Sequence, residues 1–174
     1  MRIAVSGTHC SGKTTLVEDF VSANPEYIHE PEPYEWLSEL RPFADDPDAH
    51  DFYRQLEFSV ERLSVYGADA NVIAERSPLD FLAYLLALDA SDLIAPATEL
   101  VDRGLEHVDL LVILPLNDVD GIPAPESENL ELREAMNEHL PDLIARIDHP
   151  RVIEIHGTRT ARVAMLNHAV LQSP

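Results

Sequence analysis

Apolar residues fall along this chain in two alternating rhythms. Short, nearly continuous apolar runs occur at Arg2 to Ser6, Tyr27 to His29, Asn71 to Ala74, Asp109 to Leu114 and Arg151 to Ile155. Runs of this kind predict strands covered on both faces, as in a parallel sheet. Between them apolar positions recur every three or four residues, the period of a helix with one buried face. This spacing predicts a first helix from about Lys13 through Val21 and a long one from Asp48 to about Ala68, with Phe52, Leu56, Val60 and Leu63 as its core stripe. Further helices are expected from Pro78 to about Leu88, Ser91 to Glu106, Leu130 to Ile147 and Ala161 to Leu171. Pro96 and Pro141 should weaken or kink the two that contain them, whereas Pro78 suits a first turn capped by Ser77. The alternation predicts an α/β fold: a five-stranded parallel sheet, right-handed crossovers and helices on both faces, three layers in all. Residues 1–174 read as a single domain, with no internal repeat or linker.

Three segments break the rhythm. Glu30-Pro31-Glu32-Pro33-Tyr34-Glu35-Trp36 contains two prolines and predicts an extended loop that holds its carboxylates at the end of the second strand. Residues 41–47, with Pro42 and Pro47, form a second loop. Leu116 to Asn129 is rich in Pro, Asp, Asn and Glu and reads as a mobile, lid-like loop.

Charge narrows the range of partners. The formal net charge is -20, which argues against nucleic acid and against a membrane surface. No apolar run reaches the length of a membrane span and the first strand starts at once, so a cytoplasmic location is expected. Such acidity also fits a surface adapted to high salt, where repulsion between carboxylates is screened. On that hypothesis the melting temperature rises between low and molar salt, and a level profile refutes it. The single cysteine, Cys10, excludes an intrachain disulfide. The eight histidines lack the paired spacing of a structural metal site. The state of assembly stays open, a homodimer included.

The chemistry concentrates at the first strand's end. Gly7-Thr8-His9-Cys10-Ser11-Gly12-Lys13-Thr14 has the form G-x-x-x-x-G-K-T, between a strand and a helix. Glycines at both ends permit tight curvature, so that several backbone N-H groups point inward at one phosphate group. The helix beginning near Lys13 adds its free amides and positive dipole end. Lys13 would reach the outer phosphates and the Thr14 hydroxyl a Mg²⁺ ion, with His9, Cys10, Ser11 and Thr15 completing the nucleotide-binding run. Lys13 is also the one lysine in the chain, a compact ammonium in a sequence that otherwise uses arginine. Elsewhere, Glu30 and Glu32 sit where an open parallel sheet places its active site. A solvated acidic turn is the other reading of that pair. Gln55 and Arg62 lie two turns apart on the long helix and project the same way, beside the core stripe.

With these residues in hand, the chain resembles the P-loop kinases of small metabolites, in particular the deoxynucleoside kinases and the AAA-type P-loop domains related to ribosylnicotinamide kinases. In that group a Glu-Pro pair after strand 2, followed closely by Trp, supplies the general base; Glu30-Pro31 and Glu32-Pro33 both precede Trp36. The resemblance implies an acceptor site with Trp36, Phe52, Gln55 and Arg62, the glutamine reading a nucleobase. It implies that Glu75-Arg76-Ser77 brings an acid to the metal's water shell and an arginine to phosphate. Relatives close an arginine-bearing lid over the phosphates, whereas Leu116 to Asn129 has no arginine and Arg133 is the candidate just beyond. Gly157 to Arg162, with Arg159, resembles the adenine-facing loop. The implied activity is transfer of the γ-phosphoryl of ATP, with Mg²⁺, to a hydroxyl of a nucleoside-like acceptor. The alternative is a P-loop NTPase acting as a regulatory switch, since Asn117-Asp118-Val119-Asp120 faintly resembles a guanine-reading motif.

Overall fold

The apolar runs become strands and the periodic segments become helices. A computed structural model describes residues 1–40, 47–116 and 129–172. In chain order the elements are β1 (Arg2–Ser6), α1 (Lys13–Ala23), β2 (Ile28–Glu30), α2 (Pro33–Leu40), α3 (Ala49–Ser64) and β3 (Val72–Glu75). They continue with α4 (Pro78–Ala87), α5 (Ser91–Leu105), β4 (Leu110–Ile113), α6 (Leu130–Ile144), β5 (Arg151–Glu154) and α7 (Arg159–Leu171). The five strands form one parallel sheet in the order β2-β3-β1-β4-β5.

Alternation along the strands sorts side chains to two cores. Ile3, Val5, Leu110 and Val112 pack with Leu16, Val17 and Phe20 of α1 and Leu166 of α7. Ala4, Ala74 and Leu111 face the opposite way, into a cluster built from α3, α4, α5 and α6. α4 is buried along its length from Pro78 to Leu85, and the small side chains of Ala4 and Ala74 lie in its cluster. Register then sets the site. Val5 pairs with Glu75, Ser6 with Ile113 and Glu30 with Ala74, so the chain leaves β1, β2 and β3 at one edge of the sheet, the edge where open α/β sheets bind ligands.

Three expectations need correction. The Glu-Pro-Glu-Pro stretch is extended only as far as Glu32. α2 starts at Pro33, because proline at a first helical position gives up no hydrogen bond, and Tyr34, Glu35 and Trp36 therefore ride on a helix. Neither Pro96 nor Pro141 interrupts its helix; both are exposed, so the carbonyl each deprives of a partner opens to water. α7 begins at Arg159, capped by the Thr158 hydroxyl, so Arg159 and Thr160 form its first turn rather than the preceding one.

Candidate active site

The phosphate loop is shaped by its neighbours as well as by its glycines. Gly7 has φ +150°, and a Cβ there would lie 2.6 Å from the Leu114 carbonyl oxygen. A side chain would collide with the end of β4, so the close passage requires glycine. Cys10 (φ 57°) and Gly12 (φ 89°) turn the chain into α1. Arg162 ties the loop down from α7, donating from Nη1 to the Ser11 carbonyl and from Nε to the Gly157 carbonyl, both at 2.9 Å. His9 is exposed at the rim, Cys10 and Thr15 are half-buried, and the buried hydroxyls of Thr8 and Ser11 lack a hydrogen-bond partner among the described residues. Buried polar atoms rarely stay unbonded, and these two lie in the loop where phosphate oxygens are expected.

Lys13 is 5 % exposed. Its Nζ donates to the carbonyls of Gly7 (3.1 Å) and Thr8 (2.7 Å), so the side chain curls back onto its own loop. Burial, aided by the nearby Arg76 guanidinium, pushes the ammonium down to about 8, against the pull of Glu32, Asp80 and Glu75. At the next residue, the Thr14 hydroxyl donates to Glu75 Oε2 at 2.6 Å, and His29 Nε2 lies 2.7 Å from Glu75 Oε1.

The two strand-end glutamates have different partners. Glu30 accepts two bonds from Arg62, Nε at 2.9 Å and Nη2 at 2.7 Å, and a third from the Tyr66 hydroxyl at 2.5 Å. This forked pair, with the Arg62 guanidinium 5.7 Å from the Trp36 ring centroid, fastens β2 to α3. Glu32 instead takes a short hydrogen bond from Arg76 Nε. Burial works against the Glu32 charge, but Arg76 and Lys13 outweigh it and hold the carboxyl below its ordinary range. Arg76 has φ 69°, a left-handed conformation that costs a non-glycine residue on the order of 1 kcal/mol. Its Nη1 is buried without a hydrogen-bond partner among the described residues. Glu32, Arg76 and Lys13 thus form one charged neighbourhood at the phosphate loop, with Glu30 committed elsewhere.

The remaining expected residues divide. Phe52 and Gln55 are buried on α3, and Phe52 stacks on Tyr84 of α4 at 4.4 Å between centroids. The Arg76 guanidinium lies 5.4 Å from the same tyrosine ring. Trp36 is 43 % exposed. Arg133 is buried in the first turns of α6, with its Nε unpaired among the described residues. Arg159 is bound to Asp19 of α1, Nη2 to Oδ1 at 2.6 Å, with its side chain 68 % exposed. Residues 117–128, which carry most of the expected lid-like loop and the Asn117-Asp118-Val119-Asp120 motif, lie outside the described residues, as do 41–46. Sequence reasoning passed over Asp80 and Tyr84. The signal for Asp80 was a lone carboxylate in the otherwise apolar run Pro78 to Ala87, which a buried helix cannot carry without partners.

A five-stranded parallel sheet with this order, and a G-x-x-x-x-G-K-T loop between its central strand and first helix, defines the P-loop kinase fold. Residues 2–162 match the AAA domain family, and the chain belongs to it. None of the curated proteins matches the sequence. Among solved structures, NadR protein in complex with NR superposes with a TM-score of 0.74 at 18% identity, over 99% of this chain and 52% of that one. The chain therefore spans about half the length of NadR. Thymidylate kinase from Ehrlichia chaffeensis has a TM-score of 0.70 at 18% identity, covering 99% of this chain and 98% of its own. Deoxyadenosine kinase from M. mycoides with bound dATP has a TM-score of 0.73 at 14% identity, covering 99% and 100%. Among the described residues no helix is long and apolar enough to cross a membrane.

Proposed function

We propose that the chain is an ATP-dependent kinase that transfers the γ-phosphoryl group to a hydroxyl of a small, nucleoside-like acceptor, with Glu32 rather than Glu30 receiving the proton. The observation that carries this reading is the pairing of Glu32 with Arg76 beside Lys13 at the phosphate loop. Two of the similar structures are kinases by name and the third is described in complex with NR, which supports both the reaction class and a nucleoside-like acceptor.

The chemistry asked of such a site is positioning and charge neutralisation. The amides of the loop and of the start of α1 bind the phosphates, and Lys13 and Arg76 neutralise their charge. Glu32, held below its ordinary range by Arg76 and Lys13 despite burial, is ionised at neutral pH. A base of that strength suffices when the acceptor hydroxyl gives up its proton late, as in a loose transition state. Phe52, Gln55, Arg62 and Trp36 would frame the acceptor, with Arg133 reaching toward phosphate and Arg159 toward the nucleoside end of ATP. The Thr14 hydroxyl and Glu75 are hard oxygen donors 2.6 Å apart, a set that fits Mg²⁺. Thr14 would hold the ion directly and Glu75 through its water shell, and the ion when bound neutralises charge on the phosphates.

ATP affinity should depend on pH in a defined direction. Because Lys13 sits at about 8 rather than 10.5, the free protein loses this positive charge as pH rises through about 8. Affinity is expected to be level below that point and to weaken by up to about tenfold per pH unit above it. Calorimetry in buffers of different ionisation enthalpy should detect proton uptake on binding in the alkaline range and little below it. A level affinity across the alkaline range removes Lys13 from phosphate binding.

The activity itself is tested by following ADP release from Mg-ATP with and without a panel of nucleosides and ribosyl compounds, with mass spectrometry of the product. Release that requires an acceptor and yields its phosphomonoester supports the kinase. ATP hydrolysis at one rate whatever acceptor is present refutes it and favours a nucleotide switch.

A further inference from the structure

α4 carries a single charged side chain, and that charge is completely buried. Asp80 is 0 % exposed, in the first turn of a helix whose other residues are apolar apart from the Tyr84 hydroxyl. Its carboxylate joins three segments. Oδ1 accepts from the Ser6 hydroxyl at the end of β1 (2.8 Å) and from the Gly7 amide of the phosphate loop (3.0 Å). Oδ2 accepts from the Ser77 amide at 2.7 Å, and the Ser77 hydroxyl in turn donates to the Ser6 oxygen at 3.2 Å. Capping alone explains the Ser77 bond. It does not explain why the second oxygen is directed at the loop.

We propose that Asp80 is a positioning residue that sets the entry of the phosphate loop by turning the Gly7 amide inward, away from the nucleotide. The proposal rests on the ATP-binding reading above. A carboxylate accepts and never donates, so the Gly7 N-H has one fixed direction and the amides left for phosphate are those further along the loop. The cost of burying the charge is visible: desolvation pushes the Asp80 carboxyl up, against the pull of Arg76, Lys13 and the Ser77 and Gly7 amides. Tyr84 lies one helical turn beyond Asp80 and on the same face, where it meets Arg76 and stacks on Phe52. One rigid helix therefore spans from the loop's first amide to the residues proposed to frame the acceptor, which fixes the distance between the two halves of the site.

The test compares wild type with Asp80→Asn, Ser6→Ala and Leu105→Ala, the last a buried apolar truncation in α5 that lowers stability away from the loop. Affinity for Mg-ATP is measured by calorimetry, stability by thermal melting, and exchange of the Gly7 amide by NMR in the ligand-free protein. Asp80→Asn should weaken ATP binding by about tenfold or more and speed exchange at Gly7, since the amide group can no longer accept from both sides. Ser6→Ala, which spares the Gly7 bond, should stay within about threefold of wild type. Leu105→Ala should melt earlier and bind ATP as wild type does, which separates positioning from stability. A wild-type Gly7 amide that exchanges at the rate of an unstructured chain overturns the proposal whatever the variants do. So does unchanged ATP affinity in Asp80→Asn, and because wild type binds ATP in that case the functional reading survives. Absence of ATP binding by wild type overturns both.

Discussion

Lys13→Ala should abolish turnover, with kcat/KM lower by about 10³-fold or more, while the protein stays folded. Removing one preorganised donor from developing charge costs about 10² to 10³ in rate, and Lys13 is asked both to bind phosphate and to neutralise it in the transition state. Its loss has no stand-in, because the chain contains no other lysine and the adjoining cation, Arg76, already has its own share of the phosphate charge to neutralise. Stability should move the other way or hardly at all. An ammonium pushed down to about 8 by burial is charged at neutral pH at the expense of the folded state, and that expense disappears with the group. Below about 8 the penalty is fully present, and it fades as pH rises toward the ordinary lysine value of 10.5. Lys13→Arg should fail to restore activity, since a planar fork cannot occupy the site of a compact point charge. Turnover by Lys13→Ala within a few-fold of wild type, together with unchanged ATP binding, ends the kinase reading.

The second large effect comes from a matched pair, Glu32→Gln and Glu30→Gln. Glu32→Gln should lower kcat by about 10² to 10⁴, the range for losing a general base, without weakening ATP binding. It removes a negative charge from the phosphate neighbourhood, so affinity for ATP should hold or improve. Glu30→Gln should do the reverse. Its carboxylate joins Arg62 and Tyr66, and losing the ion leaves a half-buried guanidinium short of its partner. A cost of about 1 to 3 kcal/mol in stability is expected, read as a lower melting temperature, with a smaller loss of kcat. Steady-state kinetics and melting curves on both variants decide between them. Should Glu30→Gln be inactive at an unchanged melting temperature while Glu32→Gln turns over, the base is Glu30.

The contrast between these glutamates marks the limit of the sequence. The phosphate loop could be read directly because its parts are contiguous: a strand, two glycines, a lysine, a hydroxyl and a helix follow one another without a break from Arg2 to Ala23. The strands were equally plain, since a sheet covered on both faces leaves little room for polar residues along β1, β3 and β4. Partner choice is a different matter. Glu30 and Arg62 are 32 residues apart, and Glu32 and Arg76 are 44 apart. They meet because β2 pairs with β3 in the register that sets Glu30 beside Ala74. That register, and the turn of helix that begins at Pro33, decide which carboxylate faces which arginine, and neither is written in the spacing. Asp80 was missed for a related reason. Its bonds to Ser6 and Gly7 become visible only when α4 is laid against the end of β1.

The solitary lysine also makes the protein a convenient target for covalent chemistry. A depressed ammonium supplies a useful fraction of free amine in mildly alkaline buffer, so an acylating nucleotide analogue would have one ε-amino group to label, and the extent of labelling would count the occupied sites directly.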